Sequence, residues 1–91
     1  MEDIIVETLA RSKEEKGYAL EKEDAKRILE DLKNMLQQSG KAGFWKNFLM
    51  TEDGVASLLW DINNVFYLCE DAELTTPKWY EDKYKDTIRS A

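Results

Sequence analysis

The side chains of this chain that could perform catalysis are its carboxylates and one thiol. The sequence contains 19 Asp and Glu residues, a single cysteine and no histidine. The absence of histidine removes the commonest general acid–base, the commonest metal ligand and every nucleophile that an imidazole activates. One cysteine, Cys69, can form neither an internal disulfide nor a cysteine zinc site. The four scattered glycines match no phosphate-binding or dinucleotide-binding loop.

The carboxylates are also poorly placed for catalysis. Paired carboxylates hydrolyse glycosides when they flank a cleft that excludes water, whereas the acids here fall at helix ends and on polar faces. The string Asp61-Ile62-Asn63-Asn64 resembles the start of a calcium loop, but no glycine or later glutamate completes it. We therefore expect a protein that is not an enzyme, with no catalytic residue, no metal site and no cofactor.

The acidic residues are concentrated in one segment. Positions 47–77 contain no Lys or Arg, and the acids there carry a charge equal to the net charge of −6: Glu52, Asp53, Asp61, Glu70, Asp71 and Glu73. The last three lie near the predicted end of a helix, where the helix dipole disfavours each anion by about 0.3–1 kcal/mol. This departure from a local rule indicates either a functional acidic patch or neutralisation by lysines of the last helix, Lys78, Lys83 and Lys85.

A stripe of aromatic and polar residues follows the same predicted helix, away from its apolar face. At about 100° per residue, five side chains fall within a sector of about 60°: Asp53, Trp60, Asn64, Tyr67 and Asp71. Trp and Tyr are enriched among the residues that dominate binding energy at interfaces. We predict a partner-binding face made of this stripe together with Asp61, Glu70 and Glu73. The alternative is that Trp60 and Tyr67 pack against the first helix or against the region of Trp79 and Tyr80.

The elements that must position these residues are helices, because apolar residues recur at helical spacing and no segment alternates like a strand. Five helices are predicted: about 2–16, about 21–39, a short aromatic helix at 43–50, a long fourth helix after the N-cap Thr51, and about 77–89. Four of these helices have a predicted core face. The faces are, for the first helix, Ile5, Val6 and Leu9; for the second, Ala25, Ile28, Leu29, Leu32, Met35 and Leu36; for the fourth, Val55, Leu58, Leu59, Ile62, Val65, Phe66 and Cys69; and for the last, Tyr80, Tyr84 and Ile88. We expect Cys69 to act there as a small hydrophobe. Residues 1–91 suffice for a single helical domain, so we predict a small antiparallel, all-α bundle of four to five helices.

Composition restricts the partners and the compartment. No apolar stretch approaches the ~20 residues that span a bilayer, and no signal peptide is recognisable at the start of the chain. The net charge of −6 disfavours direct binding to nucleic acid or to an anionic membrane. An unpaired cysteine fits a reducing compartment, so we expect a cytoplasmic protein.

The function that these features favour is that of a non-enzymatic protein-interaction module. It would dock its acidic, aromatic-bearing helical face onto a basic site of a larger partner protein. Because basic sites often hold nucleic acid, a specific form of this hypothesis is an inhibitor or regulator of a nucleic-acid-binding protein, encoded by a mobile element such as a phage. The alternative is a structural or homo-oligomeric helical protein whose aromatic stripe is a self-association interface. The expected state is a monomer or a homodimer.

Overall fold

The computed structural model describes residues 2–40 and 43–89. Within these ranges the chain forms helices and no strand: α1 (Glu2–Lys16), α2 (Lys22–Ser39), α3 (Gly43–Leu49), α4 (Glu52–Leu59), α5 (Asn63–Asp71) and α6 (Lys78–Arg89). The prediction of a small all-α helical bundle is confirmed, with six helices instead of four to five. No helix in the described part of the chain has the length and apolar content to cross a bilayer.

Helix α4 connects the parts of the bundle, because it contacts α1, α3 and α5. Its buried residues Val55, Leu58 and Leu59 join a core to which the apolar face of α2 also contributes. The predicted core residues Leu32 and Ile62 are buried there. Tyr80 and Tyr84 bring α6 into the same core, as predicted, whereas the side chain of Ile88 lies outside the described residues.

The thiol of Cys69 is buried in this core, as the apolar position on its helix predicts. Burial raises the pKa of the Cys69 thiol, and a hydrogen bond with Thr76 offsets only part of that effect. The thiol therefore stays neutral and packs as a small hydrophobe, which confirms the prediction for this residue.

The buried face of α1 differs from the predicted one. Val6 is 45% exposed, and the residues that face the core are Ile5, Thr8, Leu9 and Ser12. These four follow the i, i+3, i+4, i+7 spacing of one helical face, whereas Val6 is turned about 100° from Ile5. The prediction that Val6 belongs to the core face of α1 is therefore wrong, because its apolar side chain lies off the buried side of the helix.

The predicted long fourth helix is wrong as well, because the chain leaves the helical path between Leu59 and Asn63. In a continuous helix the carbonyl of Trp60 would accept from the N–H of Asn64. Instead that N–H donates to the carbonyl of Asp61 at 3.0 Å. The carbonyl of Trp60 accepts from Ser12 Oγ at 2.8 Å and from Lys16 Nζ at 3.0 Å, both on α1. Contacts with α1 thus replace the helical hydrogen bond, and α4 and α5 form separate helices.

The side chain of Asp61 stabilises the same break from within the segment. Its Oδ1 accepts from the backbone N–H of Asn63 at 2.9 Å, the kind of hydrogen bond that a helix-capping residue makes. Its Oδ2 accepts from Lys16 Nζ at 2.8 Å. Nearby, Asn64 Nδ2 donates to the carbonyl of Ser57 at 2.7 Å and bridges the two helices. Polar side chains therefore satisfy backbone groups that the interruption releases.

The joint between α3 and α4 follows the predicted cap. Thr51 Oγ1 accepts from the N–H of Gly54 at 3.0 Å, which confirms Thr51 as the N-cap of α4. The same hydroxyl donates to the carbonyl of Phe48 at 2.9 Å. Gly54 lies so close to Phe48 that a Cβ there would overlap the Phe48 carbonyl. This close approach sets the position of α3 against α4.

Candidate functional site

A groove opens on the surface of the bundle between α3 and the α4–α5 pair. It encloses about 500 Å³ and is lined by Trp45, Phe48, Ser57, Leu58, Asn64, Tyr67, Leu68 and Asp71. Leu58 and Leu68 are buried and belong to the core beneath it. Among the residues that the structure describes, the lining is therefore mostly apolar and aromatic, with one carboxylate and no cation.

The aromatic side of the groove comes from α3, whose residues Phe44, Trp45 and Phe48 form one ring cluster. The ring of Trp45 packs edge-on against Phe44 and Phe48, with centroids 5.0 and 5.6 Å away. Phe44 and Phe48 stack at 6.0 Å. Phe44 as a residue is nevertheless 69% exposed, so this apolar surface extends from the groove onto the outside of α3. The bundle itself leaves this cluster only partly covered.

One hydrogen bond connects the two sides of the groove. The indole Nε1–H of Trp45 on α3 donates to Oδ2 of Asp71 at the end of α5, at 3.1 Å. The other carboxylate oxygen of Asp71 has no protein donor among the residues that the structure describes. Trp45 therefore holds the carboxylate in place while Oδ1 remains available to a ligand.

Tyr67 is the most exposed of the predicted aromatic residues in this region. Its side chain is 63% exposed, and within the described ranges its ring packs against no other aromatic ring. The alternative in which the ring of Tyr67 packs against Trp79 or Tyr80 is therefore not what the structure contains. An aromatic residue exposed beside an apolar groove is typical of a binding surface.

Acidic residues continue the groove at the end of α5. Tyr67, Glu70, Asp71 and Glu73 border a smaller depression that shares Tyr67 and Asp71 with the groove. Glu70 and Asp71 are exposed, and no ion pair within the described ranges involves either of them. The two carboxylates therefore form an acidic rim that no lysine of the described chain neutralises.

Two of the three α6 lysines predicted as neutralising partners, Lys78 and Lys83, pair with other carboxylates. Lys83 Nζ lies 2.9 Å from Glu21 and 2.6 Å from Asp24, and Lys78 Nζ lies 3.5 Å from Asp82. Lys85 is exposed. Burial would raise the pKa of Asp24, but hydrogen bonds from Lys83 and Tyr84 hold that pKa below its ordinary value of 3.8. The pairs of Lys83 attach α6 to α2 and to the residue before it, whereas the pair of Lys78 lies within α6. No ion pair within the described ranges joins an α6 lysine to the rim.

The backbone at the rim takes an unusual conformation at Glu73, where φ is 58°. The N–H of Glu73 donates to the carbonyl of Glu70, and the N–H of Leu74 donates to the carbonyl of Cys69. This pair of bonds is the Schellman ending of a helix, which usually has glycine at the left-handed position. A residue with a Cβ there costs about 1–2 kcal/mol.

Three predicted site residues lie away from the groove. Trp60 is half-buried beneath Lys16, whose Nζ lies 5.0 Å from the ring centroid, so Trp60 contacts the first helix as the alternative interpretation held. Asp61 pairs with the same lysine; burial would raise its pKa, but Lys16 and the N–H of Asn63 hold it below 3.8. Asp53 is exposed in the first turn of α4.

The structure thus divides the eight predicted residues. It brings Asn64, Tyr67 and Asp71 together in the groove with Glu70 and Glu73 at its acidic end, and it separates Trp60, Asp61 and Asp53 from them. Sequence reasoning missed the aromatic side from α3. The segment 43–50 carried a signal for it, because its several aromatic residues cannot all face the protein core from one short helix. Some of them must therefore lie at the surface.

The groove offers a ligand aromatic surface and a carboxylate as points of contact. No group of three or more His, Cys, Asp or Glu side chains in the described ranges is arranged to hold a metal ion. Comparison of the chain with models of protein families, with curated proteins and with solved structures finds no match to any of them. The groove and its acidic rim are therefore interpreted from their own geometry.

Proposed function

We propose that this protein is a non-enzymatic interaction module that docks its groove face onto a basic site of a larger protein. The groove face comprises Trp45, Phe48, Tyr67, Glu70 and Asp71. The observation that carries the proposal is the position of an exposed tyrosine between an apolar aromatic groove and carboxylates that have no cationic partner in the described chain. Aromatic surface of this kind is costly to leave in water unless a partner covers it.

The two parts of the groove face have different energetic roles. Burial of Tyr67 and of the α3 aromatic rings supplies affinity, because buried aromatic residues dominate binding energy at interfaces. The exposed carboxylates Glu70 and Asp71 attract a basic surface over a Debye length of about 8 Å at physiological salt, which accelerates encounter. Losing an aromatic ring should therefore raise the dissociation rate, and losing the charges should lower the association rate.

The partner class that we propose is a cytoplasmic nucleic-acid-binding protein, which this module inhibits or regulates by covering the basic site. Nucleic-acid channels are the most strongly basic surfaces of many proteins, and an acidic module competes with nucleic acid for them. Duplex DNA should then compete with this protein for the partner. This competition should weaken as the salt concentration rises.

The experiment begins with partners captured on immobilised protein from cell lysate, followed by binding kinetics with each purified candidate. The double reversal Glu70→Lys with Asp71→Lys should slow association by roughly tenfold and reduce its dependence on salt. Tyr67→Ala should speed dissociation by roughly tenfold or more. The matched control is Glu7→Lys with Glu14→Lys, which makes the same charge change at two exposed positions of α1.

The result that contradicts the proposal is a partner whose affinity and salt dependence are the same for the parent, the double reversal and Tyr67→Ala. A stable homodimer in which Tyr67→Ala restores the monomer would instead support self-association through the groove face. Sedimentation of the parent and of Tyr67→Ala distinguishes these outcomes, once circular dichroism shows that each variant retains its helical content.

A further inference from the structure

The chemistry of the groove identifies the group that it accepts. We infer that the groove binds an arginine side chain presented by the partner, with the guanidinium against the aromatic rings and paired with Asp71. This inference rests on the proposed docking function and specifies which part of a basic site enters the groove. It follows from the shape of the groove, from its lining and from the hydrogen bonding of its single carboxylate.

The lining favours a cation that is weakly hydrated and planar. Trp45, Phe48 and Tyr67 present aromatic surface around an apolar base, and no positively charged residue of the described ranges lines the groove. A guanidinium is attracted to aromatic faces and gives up its water more readily than an ammonium does. Its three-carbon stem also packs along apolar surface while the charged end reaches a polar partner. Arginine therefore fits this lining better than lysine.

The carboxylate of Asp71 supplies the counter-charge in a prepared position. Trp45 occupies Oδ2 through its indole N–H, so the carboxylate is oriented before a ligand arrives. Oδ1 accepts no protein hydrogen bond in the described part of the chain, and a guanidinium presents five N–H donors to such an oxygen. Glu70, one residue away and exposed, adds negative charge at the same end.

The groove also leaves room for what flanks the arginine. Its volume of about 500 Å³ lies within the range of sites that enclose small molecules and exceeds what one guanidinium requires. Apolar side chains beside the arginine would fill the remainder over Leu58 and Leu68. A segment that combines arginine with apolar neighbours is therefore the expected occupant.

The test uses three capped tripeptides, acetyl-Leu-X-Leu-amide, in which X is arginine, lysine or citrulline. Citrulline has the shape of arginine without its charge. Each is titrated into ¹⁵N-labelled protein up to about 20 mM, and the indole N–H signals of Trp45, Trp60 and Trp79 are followed by NMR. The indoles of Trp60 and Trp79 lie outside the groove lining and serve as internal references.

We expect the arginine peptide to shift the Trp45 indole signal and to bind about tenfold more tightly than the citrulline peptide, with the lysine peptide between them. Asp71→Asn keeps an oxygen acceptor for Trp45 but removes the charge, so it should abolish the preference for arginine. Asp53→Asn is the matched control, because it removes an exposed carboxylate outside the groove and should preserve the preference.

Equal binding of the arginine and citrulline peptides overturns the inference, as does a shift confined to Trp60 or Trp79, or no binding of any peptide. None of these results decides the proposed function, which stands or falls on the partner kinetics of the charge-reversed and Tyr67→Ala variants. Conversely, a preference for arginine that requires Asp71 supports the inference even before a partner is known.

Discussion

The contact between Gly54 and the end of α3 allows one substitution to test how the groove is held together. A Cβ built at Gly54 lies 2.7 Å from the carbonyl carbon of Phe48 and 2.9 Å from Thr51 Oγ1, and closer still to the Phe48 carbonyl oxygen. Ordinary contacts of a Cβ begin near 3.4 Å. The clashing group is the backbone carbonyl of Phe48, which cannot move aside as a flexible side chain could. Gly54→Ala should therefore force α3 and α4 apart.

The magnitude follows from two opposing effects. Inserting a methyl group into a packed site costs about 1–3 kcal/mol, and a clash with backbone falls at the upper end. Replacing glycine by alanine inside a helix returns up to about 1 kcal/mol. We expect a net loss of about 2 kcal/mol, which lowers Tm by roughly 8–16 °C in a domain of this size. Displacement of α3 should also shift the indole N–H signal of Trp45, since that group is bonded to Asp71 across the groove.

The assay is thermal unfolding followed by circular dichroism, with the Trp45 indole signal recorded by NMR. Gly43→Ala is the matched control, because a Cβ at Gly43 meets nothing within 4 Å and its φ is not in the left-handed range. Gly43→Ala should leave Tm unchanged or slightly raised. If Gly54→Ala has the same Tm as Gly43→Ala and keeps the parental Trp45 signal, the prediction is refuted. The contact between α3 and α4 at Gly54 then does not position the groove.

The remaining predictions concern the core, the α2–α6 charges and the end of α5. Leu32→Ala removes a fully buried side chain and should cost about 2–5 kcal/mol in urea unfolding; a loss under 1 kcal/mol would contradict its place in the core. Because the pKa of Asp24 is lowered on folding, its stabilising pairing with Lys83 is present above pH 3.8 and is lost as pH falls through the lowered value. The stability gap between the parent and Asp24→Asn should therefore shrink between pH 6 and pH 3, and a constant gap would refute the pairing. Glu73→Gly should raise Tm by a few degrees, because it relieves about 1–2 kcal/mol of strain in the left-handed backbone conformation. Part of this gain is cancelled because glycine loses more conformational entropy on folding. A lower Tm would show that other interactions of Glu73 offset the strain.

The sequence by itself determined the fold class and most of the helix boundaries. The apolar face of α2 repeats at helical spacing from Ala25 to Leu36, about three turns, so the helix and its buried side follow from period alone. Thr51 caps α4 as its residue type predicts, and Gly17 takes the left-handed conformation after α1 at φ 83°. These features are local, because capping and periodicity depend on residues within one or two turns of each other.

The interruption between α4 and α5 shows where local reasoning fails. The apolar residues from Val55 to Cys69 keep one helical period, which predicts a single helix. In the structure this helix is interrupted, because Ser12 and Lys16, more than 40 residues away, donate hydrogen bonds to the carbonyl of Trp60. The string from Asp61 to Asn64 is rich in capping residues and carried the local part of this signal, but only contact with α1 decides which set of hydrogen bonds is made.

The candidate site divides in the same way. The acidic segment and the place of Tyr67 off the apolar face of its helix follow from charge count and helical phase. Only the structure decides that Tyr67 is exposed while Trp60, in the same sector, is half-buried. The partnership of Trp45 with Asp71 joins residues 26 positions apart on different helices. It depends on the close packing of α3 against α4 at Gly54 and on the position of α5 as a separate helix. Periodicity places a residue on a face of its own helix, whereas only tertiary packing determines which faces meet and leave a groove between them.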